Sequence, residues 1–277
     1  MKCPDAVLET LASYLPAIPG VVVSLQDKFE DPDCSYQEID HIVSKDPTLT
    51  LRILKLANSP TYGLSKKVES ISEALMLIGM AEVKDAIVGT AIAKAFDSSE
   101  QAKVFWKHSI ACGVCARYLA NCVNPSRADG LFMAGLIHDI GRLIMSKAFV
   151  DGYKKANQLC ESKKIPIAQA EQEVFRFDHT SLAEAILKQW RIPSKLITIV
   201  RYHHSPQLAP KSKIETNLLH LADTLADILD LGSSGEPMLD PQNTDEIQLV
   251  LGQNFLSNAA DELPFLVATT ASALDLD

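Results

Sequence analysis

With 277 residues, 47% of them apolar, the chain has material for one large packed domain or two modest ones. A net charge of −9 argues against broad, sequence-independent nucleic-acid binding, which needs a concentrated basic face. No run reaches the roughly 18 uninterrupted apolar residues of a membrane span, and Met1-Lys2-Cys3-Pro4-Asp5, then Leu8, Leu11 and Leu15 among polar residues, lacks a signal-peptide core. A cytoplasmic protein with no membrane partner is expected. Its six irregularly spaced cysteines read accordingly as reduced thiols rather than a disulfide framework.

An all-α fold is expected, because no segment sustains the period-two alternation of a half-buried strand. Residues 1–98 read as an N-terminal helical lobe of about five short helices with one histidine, His41. Ser35-Tyr36-Gln37-Glu38 and Ser70-Ile71-Ser72-Glu73 fit the capping box, in which hydroxyl and carboxylate satisfy orphan amides at a helix start. Asp46 precedes Pro47 as a cap before a first-turn proline. The helix that follows carries Leu49, Leu51, Ile53, Leu54 and Leu56 and should end near Asn58-Ser59-Pro60, and Gly79 should close the helix begun at Ser70. The β-branched runs Val21-Val22-Val23 and Ile197-Thr198-Ile199-Val200 are ambiguous alone, and their neighbours favour helix or loop.

Asp97-Ser98-Ser99-Glu100 is a polar break, after which residues 99–231 read as a second helical lobe; Ser181-Leu182-Ala183-Glu184 fits another capping box there. Residues 232–277 open with a loop, Gly232-Ser233-Ser234-Gly235-Glu236-Pro237 and then Asp240-Pro241. A helical tail, apolar from Leu263 to Leu274, is expected to pack back on the body. The chain shows no internal repeat and no low-complexity tract.

The chemistry concentrates in the second lobe, which holds six of the seven histidines. The candidate metal ligands are His108, the pair His138-Asp139, His179, the pair His203-His204, and Asp223. Five imidazoles and two carboxylates could hold two borderline divalent ions sharing a carboxylate. Gaps of tens of residues suit ligands delivered by successive helices rather than by a zinc-finger loop. His138-Asp139 carries the most weight, since two adjacent ionisable groups in the apolar stretch Leu131 to Leu143 are costly to bury unless something pairs with them. The expectation is an apolar helix with this pair in its middle.

The other candidates are open taken singly. His108 alone could be a surface or cap histidine, His179 could point inward from a helix start, and His203-His204 could simply favour a helix dipole. Asp223 and Asp227 share a helical face, Asp227 being the weaker candidate, and His220 could be core. Cys112 and Cys115 lie with His108 along one helical face, but a continuous helix holds such a pair too straight for a tight chelate, and buried thiols are ordinary core residues. No glycine-rich phosphate loop appears.

From Trp106 to Asp223 this order and spacing resembles the HD-domain superfamily of metal-dependent phosphohydrolases, and within it the HDOD domain, the HD-related output domain of bacterial signalling proteins. Leu15-Pro16-Ala17-Ile18-Pro19, Asp46-Pro47-Thr48-Leu49-Thr50, Ala57-Asn58-Ser59-Pro60-Thr61-Tyr62-Gly63, Leu77-Ile78-Gly79, Trp190-Arg191-Ile192-Pro193 and His203-His204-Ser205-Pro206 carry it. The resemblance spans residues 12–230. It implies a multi-helix HD-like bundle with an N-terminal helical lobe.

Matched onto the related HD-GYP phosphodiesterases, it further implies that Asp139 bridges two ions. His108, His138 and Asp223 would complete one set, and His179, His203 and His204 the other. Where those enzymes follow His-His with a glutamate and a glycine-tyrosine-proline loop, this chain has Ser205-Pro206-Gln207-Leu208, and their lysine after His-Asp is Arg142 here. Arg142 and Asp139 are the candidate catalytic residues. The resemblance implies a signal-transduction module binding one or two divalent transition-metal ions (iron, manganese, zinc or nickel). Its expected partner is a signalling protein or a small phosphorylated ligand. The rival expectation is a phosphohydrolase acting on a nucleotide or cyclic dinucleotide through a metal-activated water.

Overall fold

The structure, a computed structural model, describes all residues except 1–3, 12, 17–19, 32, 97–99, 233–253 and 277. The break at Asp97-Ser98-Ser99 and most of the loop after Gly232 lie outside the described residues. Among those described, the regular structure is helical, with no strand. No helix among them is long and apolar enough to cross a membrane.

Among the described residues the N-terminal part holds six helices, against about five expected: α1 (Pro4–Leu11), α2 (Gly20–Glu30), α3 (Tyr36–Val43), α4 (Pro47–Ala57), α5 (Ile71–Ile78) and α6 (Met80–Ala95). The run Val21-Val22-Val23 lies in α2, its neighbours having decided the conformation. The Ser35 capping box forms in full, and Asp46 caps α4 by accepting from the Leu49 amide at 3.0 Å. Ser70 accepts from the Glu73 amide at 3.1 Å, but the Glu73 carboxylate accepts from Glu69 N–H at 2.7 Å, one residue before the box partner expected. Helical spacing turns Leu49, Ile53 and Leu56 of α4 into the core beside Ile71 and Leu75, each such burial contributing roughly 1.5–3 kcal/mol.

The axis of the remainder is α7 (Glu100–Val123). Then follow α8 (Leu131–Ile137), α9 (Ile140–Ala148), α10 (Val150–Lys163), α11 (Ile167–Phe175), α12 (His179–Gln189), α13 (Ser194–Tyr202), α14 (Lys213–Ile228) and α15 (Phe255–Leu274). Helices α8 and α14 pack along α7, α12 packs on α9 and α13, and α15 lies against both α7 and α4. Asp275 at the end of α15 pairs with Arg52 at 3.1 Å and Lys55 at 3.2 Å. Glu82 of α6 pairs with Arg117 of α7, whose guanidinium sits 4.4 Å from the Tyr62 ring centre. Helix α12 begins at His179, but Ser181 is not its cap. Its cap is Asp178, which accepts from the Ser181 amide at 2.7 Å, while the Ser181 hydroxyl accepts from the Asp178 amide at 3.2 Å. That start makes His179 the first helical residue.

The contact between α7 and α8 is set by two glycines. A Cβ on Gly135 would lie 2.4 Å from the Gly113 backbone. Because backbone cannot swing aside as a flexible side chain can, Gly135→Ala should destabilise the protein by about 3 kcal/mol or more, a loss that chemical denaturation would read; an unchanged midpoint would contradict this packing. A second test concerns Asp85 of α6. Burial, with Glu82 nearby, pushes its carboxyl up to about 8. The folded state therefore holds this proton more tightly than the unfolded chain, so Asp85 costs stability progressively as pH rises from about 4 to about 8. Asp85→Asn should raise stability at pH 8 and leave it unchanged at pH 4; equal midpoints for both proteins at both pH values would refute this.

Candidate metal centre

The pair His138-Asp139 does not lie inside one continuous helix. Helix α8 ends at Ile137, α9 starts at Ile140, and Asp139 takes φ −100° and ψ 13°, the sparsely populated bridge region of backbone space. The break turns both side chains into the same interior space, where His138 is fully buried and Asp139 nearly so.

Around them the structure gathers all seven sequence candidates. His108 comes from α7, His179 from the start of α12, His203 and His204 from the end of α13, and Asp223 from α14. Neighbouring imidazole centres are separated by 5.3 Å (His108–His138), 5.0 Å (His138–His203), 4.0 Å (His203–His204) and 5.0 Å (His179–His204). His220 and Asp227 are outside the gathered donors.

Four of the rings are oriented the same way. Each Nδ1 meets an acceptor: Gly232 O for His108 at 3.0 Å, Gly135 O for His138 at 2.7 Å, Glu171 Oε2 for His179 at 2.6 Å, and Val200 O for His203 at 2.7 Å. With Nδ1 as the donor, the neutral form of each ring carries its lone pair on Nε2, and Nε2 is the atom turned inward. His108 Nε2 lies 3.1 Å from Asp223 Oδ1, and His138 Nε2 lies 3.6 Å from Asp139 Oδ1 and 3.9 Å from Asp223 Oδ1. His179 and His203 Nε2 lie 3.3 and 3.7 Å from Asp139 Oδ1, and His204 Nε2 lies 3.1 Å from His179 Nε2.

These donors fall into two groups, each with its ligand atoms within 4.8 Å of one another: His108, Cys112, His138 and Asp223, and Asp139, His179, His203 and His204. Cys112, read from sequence as core, therefore sits among the donors. A helical i, i+4 pair puts its side chains on one face, and His108 and Cys112 meet there without a loop. Cys115 stays in the core.

The electrostatics follow from this crowding. Burial by itself would raise Asp139, but His138, Arg142, His179 and His203 hold its carboxyl well below the usual carboxylate range. Burial would lower His108, yet the Asp223 carboxylate bonded to it outweighs that and raises it to about 9. His179 reaches about 9 by the same balance, with Glu171 and Asp139 as the raising charges. Burial and the His179 ring lower His204 to about 3, and burial with the neighbouring rings of His204 and His138 lowers His203.

The residues fit a divalent cation. His138 Nε2, His203 Nε2 and Asp139 Oδ1 are buried and make no hydrogen bond, and such orphaned groups cost roughly 1–3 kcal/mol each unless something accepts their lone pairs. Cations in the two donor groups would satisfy all three, and neutral imidazole with carboxylate suits a borderline transition metal. Asp139 Oδ2 accepts from Arg142 Nη1 at 2.8 Å, while Oδ1 makes no hydrogen bond and is the oxygen that would hold a cation. Arg142 is buried and also donates through Nε to the Tyr153 hydroxyl at 3.2 Å.

Sequence reasoning missed Glu171. It is fully buried on α11 and accepts from both the backbone N–H and the Nδ1 of His179. Its only sequence signal is an acidic residue among Ile167, Ala170 and Val174, because its partner is set by how α11 meets α12. A carboxylate behind a ligating imidazole orients the ring and raises its basicity. Glu171→Gln should therefore lower divalent-metal affinity about 10- to 100-fold with helix content unchanged, as titration calorimetry beside circular dichroism would read; undiminished affinity would remove Glu171 from the site.

A family model for the HDOD domain matches residues 15–206. A Treponema pallidum protein of uncharacterised function is 24% identical over 200 residues, covering 71% of this chain, and this chain spans 39% of that relative's length. Among solved structures, an HDOD domain protein of unknown function from Geobacter sulfurreducens superposes with a TM-score of 0.74 at 21% identity, with 98% of each chain covered. A "Putative phosphohydrolase" from Shewanella amazonensis SB2B gives 0.73 at 20% identity, with 97% of each covered. A "Putative signal transduction protein" from Marinobacter aquaeolei VT8 gives 0.71 at 19%, covering 98% of this chain and 61% of that one. At these identities the superpositions establish a shared all-helical fold, and the match of the family model over most of the chain shows that it belongs to the HDOD-domain family.

Proposed function

We propose that this protein is a signal-transduction module that binds one or two divalent metal ions in its buried histidine–aspartate centre and engages a protein or small-ligand partner, without strong catalysis. The observation that carries the metal reading is the common orientation of the four imidazoles, each with Nδ1 engaged and Nε2 turned toward the carboxylates. The signalling role draws on the HDOD family and on the naming of the Marinobacter relative. Large apolar side chains exposed on the N-terminal helices, Leu51, Met76 and Leu77, support partner contact there.

The rival reading is a phosphohydrolase acting on a nucleotide or cyclic dinucleotide, in line with the naming of the Shewanella relative and with two adjacent donor groups. A bound divalent ion would lower the pKa of a water toward neutrality. Against it stands Arg142, the residue placed to receive a phosphate: it is buried, with Nη1 on Asp139 and Nε on Tyr153. Ser205-Pro206-Gln207-Leu208 follows the histidine pair in place of a glycine-tyrosine-proline loop.

Elemental analysis of tag-free protein beside Asp139→Ala, with a hydrolysis screen over nucleotides and cyclic dinucleotides, tests both readings. The expected result is one or two equivalents of a transition metal, lost in the variant, with no turnover by the loaded protein. Folded protein that takes up no metal would overturn the metal centre, and turnover abolished by Asp139→Ala would establish the enzyme. Arg142→Ala leaves the Asp139 carboxylate buried without its guanidinium, so chelator-treated variant should lose about 3–5 kcal/mol and recover part of that on metal loading.

A further inference from the structure

The first donor group contains one residue that the histidine–aspartate pattern does not require. Cys112 lies one helical turn after His108 on α7 and is fully buried. Its Sγ is 3.3 Å from His108 Nε2 and 3.6 Å from Asp223 Oδ1. The fourth member, His138 Nε2, is fully buried, aimed into the same space and without a hydrogen-bond partner. Ligand atoms about 2.0–2.3 Å from a tetrahedral zinc stand roughly 3.3–3.8 Å apart along the edges of the tetrahedron. The separations here run from 3.1 Å (His108–Asp223) through 3.3 and 3.6 Å at the sulfur to 3.9 Å (His138–Asp223). The thiol that reaches Asp223 and His108 by hydrogen bonds thus stands at an edge length from two donors at once.

We propose that Cys112 is a metal ligand, closing the first group into a four-coordinate site of two imidazoles, one carboxylate and one thiolate that selects a soft divalent ion, zinc above manganese or magnesium. The inference rests on the metal-binding reading above and adds to it. Thiolate is the soft ligand of the menu, so the two donor groups differ in kind: sulfur in the first, three imidazoles and Asp139 in the second. With all four positions held by side chains, the first site has the closed coordination of structural zinc sites and no position left for a reactive water. Binding releases the thiol proton to solvent as the sulfur–metal bond forms. Cys115, three residues further along α7 and equally buried, lies outside the donor group and is an internal control.

Cobalt(II) reports the ligand directly, because thiolate bound to cobalt gives a strong near-ultraviolet charge-transfer band that imidazole and carboxylate do not. Cobalt(II) added to full-length, chelator-treated protein should produce that band in the wild type and in Cys115→Ser. In Cys112→Ser the band should vanish and the affinity of one cobalt equivalent should fall by at least about tenfold, the low end of what even an outer-sphere partner contributes. Zinc should displace the band-forming cobalt and manganese should not. Cobalt bound with tetrahedral visible bands but no thiolate band would overturn the Cys112 assignment and leave the metal centre standing. A thiolate band surviving in Cys112→Ser would also overturn it, and protein that binds neither cobalt nor zinc would overturn both readings. The wild-type spectrum decides the question even if Cys112→Ser does not fold.

Discussion

The arrangement depends on one carboxylate. Asp139 is buried at a break between two apolar helices, with Arg142 on one oxygen and three imidazole Nε2 atoms within 3.7 Å of the other. A charge in such surroundings must be compensated, and here the guanidinium does so at Oδ2, while Oδ1 faces an inward ring of imidazole nitrogens without a hydrogen bond, the place a cation would fill. Those imidazoles in turn need their outer nitrogens satisfied, which fixes the surrounding acceptors. Gly135 O, Val200 O, Gly232 O and Glu171 are therefore parts of the centre although none points into it.

Meeting those demands requires backbones to come unusually close. A Cβ on Gly135 would strike the Gly113 backbone at 2.4 Å, one on Gly141 would lie 2.1 Å from His179 O, and one on Gly232 would lie 2.8 Å from His108 Cα. In each case a glycine faces the helix that carries a donor histidine or the segment next to it. Side-chain volume is removed where helices must approach, and short contacts through fixed backbone, rather than long flexible side chains, then hold the donors in place. A site organised in this way is rigid, which suits holding an ion in a defined geometry.

Much of the centre was legible because its residues are chemically conspicuous. Histidine and aspartate inside apolar stretches announce a burial problem, and the fold brings the seven candidates together with Cys112 beside them. Cys112 is the buried core thiol expected, but its place beside His108 and Asp223 could not be read from spacing, because a small thiol is as much at home in a core as on a metal. Glu171 was invisible because an acidic residue on an amphipathic helix looks like a solvated face until the packing partner is known. The cap of α12 was misassigned because Asp178 and Ser181 are both competent caps, and they form one box together.

The sequence alone determined the helical class, through capping residues and the absence of period-two alternation, and it named the histidines and aspartates of the centre. Local information suffices for both, since caps and amphipathic faces act within a few residues. The pairing of donors, the identity of their outer partners, the break at His138-Asp139 and the engagement of Arg142 with Asp139 were decided only by tertiary structure. Each depends on contacts between helices far apart in the chain, where a shift of about 1 Å separates a ligand from a neighbour. Spacing along a sequence carries no record of that distance.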